Sequence, residues 1–200
     1  DGALVARGDL GVELGFEMVP IIQKRIIRSC HKHGKPVILA TQMLESMITN
    51  NIPTRAEVND VAVSVEDSCD AVMLTAETSI GDYPIESVKM MRSIILRMEK
   101  EIQKYTNFKG SHPLVVETSI QNSICHSACN IAKELNIDLI IAMTESGSTA
   151  ISISLFRPNA MIIPMSPSKE VCSRLNLVWG LNSVVVDEFK DSGHMLKNVQ

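Results

Sequence analysis

Short apolar runs alternate with one-sided helical patterns along the first half of the chain. The runs Ala3–Ala6, Val37–Ala40 and Ala71–Leu74 are too short for helices and read as buried strands. Between and after them, apolar residues recur at helical spacing: Met18, Ile22, Ile26 and Cys30; Val58, Val61, Ala62 and Val65; Val88, Met91, Ile95, Met98 and Ile102. Each set predicts a helix with one apolar face. Thr54 with Glu57 three residues on is a capping box, Asp82 ahead of Tyr83-Pro84 marks another helix start, and Gly34 after His33 marks a stop. Strand and helix in strict alternation predict a parallel sheet covered by helices. Three such units do not close an eight-unit barrel, so the pattern fits part of a larger barrel or an open sheet.

The rhythm lapses over residues 106–118, a polar stretch containing Gly110 and Pro113 that suits a linker between a first domain, 1–105, and a second, 119–200. Past it, Ile120, Ile124, Ala128, Ile131 and Leu135 form a helix face. Strands are expected at Leu139–Met143, Ala160–Met165 and Ser183–Val186, and helices at Gly147–Phe156 and Ser168–Leu177. This is again an α/β alternation. Residues Asp191–Gln200 would begin a further helix.

Composition narrows the function classes. With 45% hydrophobic and 21% charged residues among 200, the chain is a folding, globular one. No apolar stretch reaches the roughly 18 to 20 residues that a bilayer core requires, so no membrane role is expected. The net charge of −4, with 19 basic residues spread thinly, is not the footprint of a nucleic-acid binder. The five cysteines include one close pair, Cys125 and Cys129, at helical spacing; they read as small core hydrophobes in a reducing, cytoplasmic setting. The chain opens on Asp1 with no leader pattern and reads as a segment of something longer.

The strand ends carry the chemistry. In parallel α/β folds, ligands bind at the carboxyl ends of strands, where loops and helix amino termini converge. Here those ends read Arg7-Gly8-Asp9-Leu10-Gly11, Thr41-Gln42-Met43 and Thr75-Ala76-Glu77-Thr78. A carboxylate in such a place suits a hard cation such as Mg²⁺, and Gly8 permits close backbone approach of an anion. A further loop, Ser146-Gly147-Ser148-Thr149, follows an apolar strand and opens a helix, an arrangement that offers N–H groups to an anion.

Four stretches resemble pyruvate kinases, in family order: Asp1–Glu13, with Arg7-Gly8-Asp9 at its centre; Lys35–Met47, with Thr41-Gln42-Met43; Pro53-Thr54-Arg55-Ala56-Glu57; and Met73–Pro84, with Thr75-Ala76-Glu77. Thr144–Ala150 and Phe156-Arg157-Pro158 are similar to that family's carboxyl-terminal domain. The resemblance implies a partial TIM (β/α)8 barrel, its last three βα units, followed by a three-layer α/β domain. It implies phosphoryl transfer from phosphoenolpyruvate to ADP, giving pyruvate and ATP, with Mg²⁺ or Mn²⁺ and with K⁺ held by ligands outside this chain. It also implies a cytoplasmic homotetramer.

Carried over by residue, the resemblance makes Asp9 a metal ligand and gives the substrate carboxylate the backbone N–H groups of Gly8 and Asp9 and the hydroxyl of Thr41. Arg7 shapes the pocket. Thr75 and Glu77 match the hydroxyl and glutamate near the face where the enolate is protonated. Many relatives have Ser-Gly-Glu where this chain has Thr75-Ala76-Glu77. The loop holding Thr144, Ser146, Gly147, Ser148 and Thr149 matches the effector phosphate pocket, with Ser148 where many responsive members carry a basic residue.

Each residue also has a plainer reading. Asp9 caps a helix, Thr41 satisfies strand-end backbone, and Glu77 is a capping carboxylate. Arg55 is a surface charge or an interface residue, and Met90, Met91 and Met98 are packing. The family's upstream Lys-x-Glu pair occurs nowhere in these 200 residues. Without that pair this chain is not expected to turn over alone, and a non-catalytic relative serving assembly or effector binding stays open; so does aldolase-type chemistry on a related enol substrate, which shares metal-assisted enolate logic.

Overall fold

The computed structural model describes residues 2–109, 117 and 119–187, with the side chains of 105–109 excepted. It divides into two compact units, each built on its own three-stranded parallel sheet.

The first unit runs β1 (Ala3–Ala6), α1 (Arg7–Leu14), α2 (Val19–Lys32), β2 (Val37–Ala40), α3 (Arg55–Glu66), β3 (Ala71–Met73), α4 (Ala76–Ser79) and α5 (Pro84–Lys109). Its sheet order is β1-β2-β3, an open parallel arrangement rather than a closed barrel. The register aligns Ala6 with Ala40 and Ala40 with Met73. Arg7, Thr41 and Thr75 therefore all leave the sheet at its carboxyl edge. The strands form because Val5, Val37 and Leu39 bury almost completely, together with Ile27 and Cys69. A second cluster packs Met43, Leu44, Met47, Val61, Met91 and Ile94 beneath the loop after β2. Each such side chain contributes about 1.5 to 3 kcal/mol through its removal from water.

Helix boundaries follow the expected signals. Thr54 caps α3 through a reciprocal bond with Glu57, and α2 ends two residues before Gly34, whose φ of +60° suits glycine. The α2 stripe is displaced from the expected one. Gln23 and Ile27 are the deeply buried positions, while Ile26 and Cys30 pack partly against the core. Helix α5 continues through Lys109, four residues into the stretch expected as a linker. Residues 110–116 and 118, the rest of that stretch apart from Glu117, lie outside the described residues.

The second unit runs α6 (Ile120–Glu134), β4 (Leu139–Met143), α7 (Ser148–Leu155), β5 (Met161–Ser166), α8 (Lys169–Leu175) and β6 (Val184–Val185). Its sheet order is β4-β5-β6. The expected helix at 120–135 forms, but its apolar isoleucine stripe is not the core face. Ile120 is 83% exposed and Ile124 64%, while Cys125, Cys129 and Ala132 turn inward. The helix uses its small residues for close approach to α7, where Ala150 and Ile153, with Leu175 of α8, complete the core. Burial raises the Cys125 thiol, and burial with the neighbouring Cys125 pushes Cys129 up to about 11. Both are packing thiols rather than thiolate ligands. Trp179 stacks under the Arg157 guanidinium, 4.4 Å from ring centroid to charge. The expected helix at Asp191–Gln200 lies outside the described residues.

Candidate active site

At the carboxyl edge of the first sheet, three strand ends are tied together by side chains that reach across more than thirty residues. Arg7 begins α1 as the chain leaves β1. Its Nε and Nη2 donate to the Thr41 carbonyl at 3.1 and 2.8 Å, and Nη2 also donates to the Gln42 carbonyl at 2.7 Å. Nη1 pairs with the Asp60 carboxylate on α3. Arg7 is 5% exposed, so its charge is held inside the protein by these acceptors.

The acceptors belong to a strained turn. Thr41 and Gln42 have φ of +68° and +53°, the left-handed region that a β-branched residue such as threonine seldom adopts. Such a conformation costs about 1 to 3 kcal/mol for each residue and persists only where surrounding contacts hold it. It turns the Thr41 hydroxyl toward the start of α1, where Oγ1 accepts the Gly8 N–H at 2.9 Å. That bond leaves the hydroxyl hydrogen available to a ligand. A Cβ on Gly8 would meet nothing closer than Thr41 Oγ1 at 3.6 Å, an ordinary contact. The fold does not require glycine there, so the missing side chain leaves room for something else.

Asp9 lies on the first turn of α1, exposed, and among the described residues its carboxylate has no hydrogen bond or ion pair. It sits at a helix amino terminus whose cap residue, Ala6, offers no side-chain acceptor. The described residues contain no group of three or more His, Cys, Asp or Glu able to enclose a metal. A lone free carboxylate at a strand tip nevertheless fits Mg²⁺, which is commonly held by one or two carboxylates and completes its shell with water and substrate phosphate.

Glu77 is fully buried at 1% exposure. Oε2 accepts the Thr75 N–H at 2.8 Å and, more weakly, the Thr75 hydroxyl at 3.4 Å; Oε1 accepts the Leu44 N–H at 3.1 Å. The carboxylate thus pins the end of β3 to the loop after β2. Glu57 performs a similar task further along that loop, accepting from the Ser46 N–H and hydroxyl and from the Thr54 N–H and hydroxyl. Burial works to raise the Glu57 carboxyl, but the bonds from Ser46 and Thr54 outweigh it and hold it below its ordinary value.

The second unit has its own loop at a carboxyl strand edge. Thr144, buried, accepts the Gly147 N–H at 2.9 Å through Oγ1, and Ser146 Oγ accepts the Ser148 N–H at 3.4 Å. Gly147 has φ of +88°, and a Cβ at that position would lie 3.0 Å from Leu175 Cδ2, so only glycine fits without strain. Arg174 of α8 donates to the Ser146 carbonyl at 2.7 Å. Ser148 and Thr149 open α7.

Every residue expected at the first site is therefore at one sheet edge: Arg7, Gly8, Asp9, Thr41, Thr75 and Glu77. Sequence reasoning missed Asp60, Glu57, Ser46 and the Leu44 N–H, which hold that edge in place, and Arg174 in the second unit. The capping box was the one available sign of Glu57.

Parallel strands whose carboxyl ends converge on polar loops define the architecture of βα-barrel enzymes. Models of two families match this chain: the pyruvate kinase barrel domain over residues 1–88 and the pyruvate kinase alpha/beta domain over residues 122–200. The chain belongs to the pyruvate kinase family. It is 48% identical to pyruvate kinases of Staphylococcus epidermidis, Staphylococcus haemolyticus and Staphylococcus aureus, over 99% of its length and 34% of theirs. Among solved structures it resembles a pyruvate kinase from Cryptosporidium parvum, with a TM-score of 0.89 and 40% identity over 100% of this chain and 40% of that one. The chain thus spans about a third of the length of the curated relatives it matches.

Proposed function

We propose that this chain forms part of an enzyme that transfers the phosphoryl group of phosphoenolpyruvate to ADP, yielding pyruvate and ATP. The observation that carries this reading is the meeting of Gly8, Thr41, Thr75 and Glu77 at one sheet edge, beside the free carboxylate of Asp9.

Asp9 would hold Mg²⁺ or Mn²⁺, which when bound neutralises charge on the transferring phosphoryl group. The chain's own groups position the rest. The Gly8 N–H fixes Thr41 Oγ1 as acceptor, leaving its hydrogen to bond the substrate carboxylate. The Asp9 N–H lies next along the same helix start. Arg7 shapes the pocket from behind by holding the carbonyls of Thr41 and Gln42. After transfer the enolate needs a proton at its terminal carbon. The Thr75 hydroxyl, backed by the buried Glu77 carboxylate, is a group able to hold and pass one. Thr75 and Ala76 each carry one methyl group more than the Ser-Gly that the resemblance leads one to expect there.

The same reading assigns K⁺ to ligands outside this chain and an effector phosphate to Thr144, Ser146, Gly147, Ser148 and Thr149. It places the enzyme in the cytoplasm; no described helix is long and apolar enough to cross a membrane. A homotetramer belongs to the same reading.

The test joins this chain to the upstream barrel of its natural protein and measures ATP formation with Mg²⁺ and K⁺ present. Turnover that falls at least about a hundredfold in Asp9→Asn supports the reading; absence of turnover in the unsubstituted protein overturns it.

A further inference from the structure

Arg7 is the buried cation of the first unit, and the bonds it makes go to protein rather than outward. Its side chain is 6% exposed, whereas that of Asp60 is 40% exposed. Three of its four bonds go to the carbonyls of Thr41 and Gln42, the two consecutive residues with left-handed φ. The fourth goes to Asp60 on α3.

A planar guanidinium binds two neighbouring carbonyls only in one rotation of its fork. The bonds to Thr41 and Gln42 can fix that rotation only while the charge is compensated nearby, since a buried cation without a counter-charge is drawn toward water or toward any anion within reach. Here the anion within reach would be the substrate. Asp60 supplies the counter-charge from the opposite side, keeping the fork on the turn and away from the open edge. The turn in turn sets the direction of the Thr41 hydroxyl toward Gly8.

We infer that Asp60 is a positioning residue: through Arg7 it holds the strained Thr41–Gln42 turn and thereby the orientation of the Thr41 hydroxyl. The inference rests on the reading of Thr41 as a substrate-binding group. Arg7 then serves the backbone of the pocket and not the substrate directly. Asp60 escapes sequence reading because the apolar pattern of α3 places it on the outer side, where it reads as a surface charge.

The experiment uses the full-length protein with Asp60→Asn, Asp60→Glu, Arg7→Lys and the double variant Arg7→Lys/Asp60→Asn. Three quantities are read: kcat, KM for phosphoenolpyruvate, and hydrogen exchange of the peptide containing Gly8 without substrate. Asp60→Asn is expected to lower kcat about tenfold, with a lowered melting transition and faster exchange at Gly8. Asp60→Glu restores most of the loss. The double variant should fall no more than about threefold below Arg7→Lys alone, because both substitutions break one chain of contacts.

Effects that multiply in the double variant, or an Asp60→Asn enzyme with normal kcat and unaltered exchange, would overturn the inference. The exchange readout needs no turnover, so the two readings fail separately. A full-length protein that makes no ATP yet shows faster Gly8 exchange in Asp60→Asn contradicts the proposed reaction and sustains the positioning link. An active enzyme with unaltered exchange in that variant contradicts the link alone.

Discussion

Both units end parallel strands in loops rich in hydroxyls, yet they hold those loops by different means. In the first unit, the loop after β2 is fixed by charged groups from other elements: Arg7 from the start of α1, Glu77 from α4 and Glu57 from α3. In the second, the loop after β4 is held largely by its own residues, Thr144 and Ser146 accepting from Gly147 and Ser148, with Arg174 as the distant charged side chain among the described residues. Distant charged anchors allow the first loop to keep a strained conformation. The second holds its turn through short-range hydroxyl contacts and enters its helix at Gly147, whose left-handed φ costs glycine little. The first is built for fixed geometry, as electrostatic preorganisation demands.

The largest expected effect comes from removing the central anchor. Arg7→Met strips the two carbonyls of their donors and leaves Asp60 without its partner. It should destabilise the first unit by about 2 to 4 kcal/mol, discounted for the half-exposed Asp60, and this is measurable by urea unfolding. A cost below about 1 kcal/mol would mean that the turn holds without the guanidinium.

Glu77→Gln comes next. The amide retains one acceptor oxygen but turns an NH2 group toward either the Leu44 or the Thr75 N–H, so one buried donor loses its partner. The expected cost is about 1 to 3 kcal/mol, with a fall in ATP formation in the full-length protein that Thr75→Ser should not reproduce. In the second unit, Thr144→Val removes the acceptor for the Gly147 N–H and should cost about 1 to 2 kcal/mol. If Thr144→Val cost more than Arg7→Met, the contrast between the two loops would be reversed.

How much of this was legible beforehand varies with the range of the interaction. Strands β1 and β2 fall at Ala3–Ala6 and Val37–Ala40, as their apolar runs indicate, and the capping box at Thr54 and Glu57 forms as written. These are local signals. The convergence of Arg7, Thr41 and Thr75 followed from the parallel alternation, because register in such a sheet brings successive carboxyl ends to one edge. What Arg7 and Glu77 bind was not legible, since a side chain's partner thirty or more residues away leaves no trace in periodicity. In α6 the isoleucines at helical spacing mark an apolar face that stays exposed, while Cys125 and Cys129, read as small core hydrophobes, take the core with Ala132 because they allow the closer packing.

A smaller effect separates the two loops by pH. The Glu57 carboxyl titrates lower in the folded protein than its ordinary value of 4.5. Its contribution to stability is therefore complete above about 4.5 and is lost as pH falls through the lowered folded value. Acid unfolding of Glu57→Gln should accordingly be shallower below pH 4.5 than that of the unsubstituted protein, with the two curves parallel near neutrality. Identical acid limbs would remove Glu57 as an anchor of the first loop.

The central claim is that Asp9 grips a divalent ion at the edge that Thr41 and Glu77 complete. Its most direct test is a Mn²⁺ titration of the full-length protein, followed by electron paramagnetic resonance with phosphoenolpyruvate present, comparing the unsubstituted protein with Asp9→Asn. The account predicts that Asp9→Asn weakens Mn²⁺ binding at least about tenfold; equal affinity in the two proteins would contradict it.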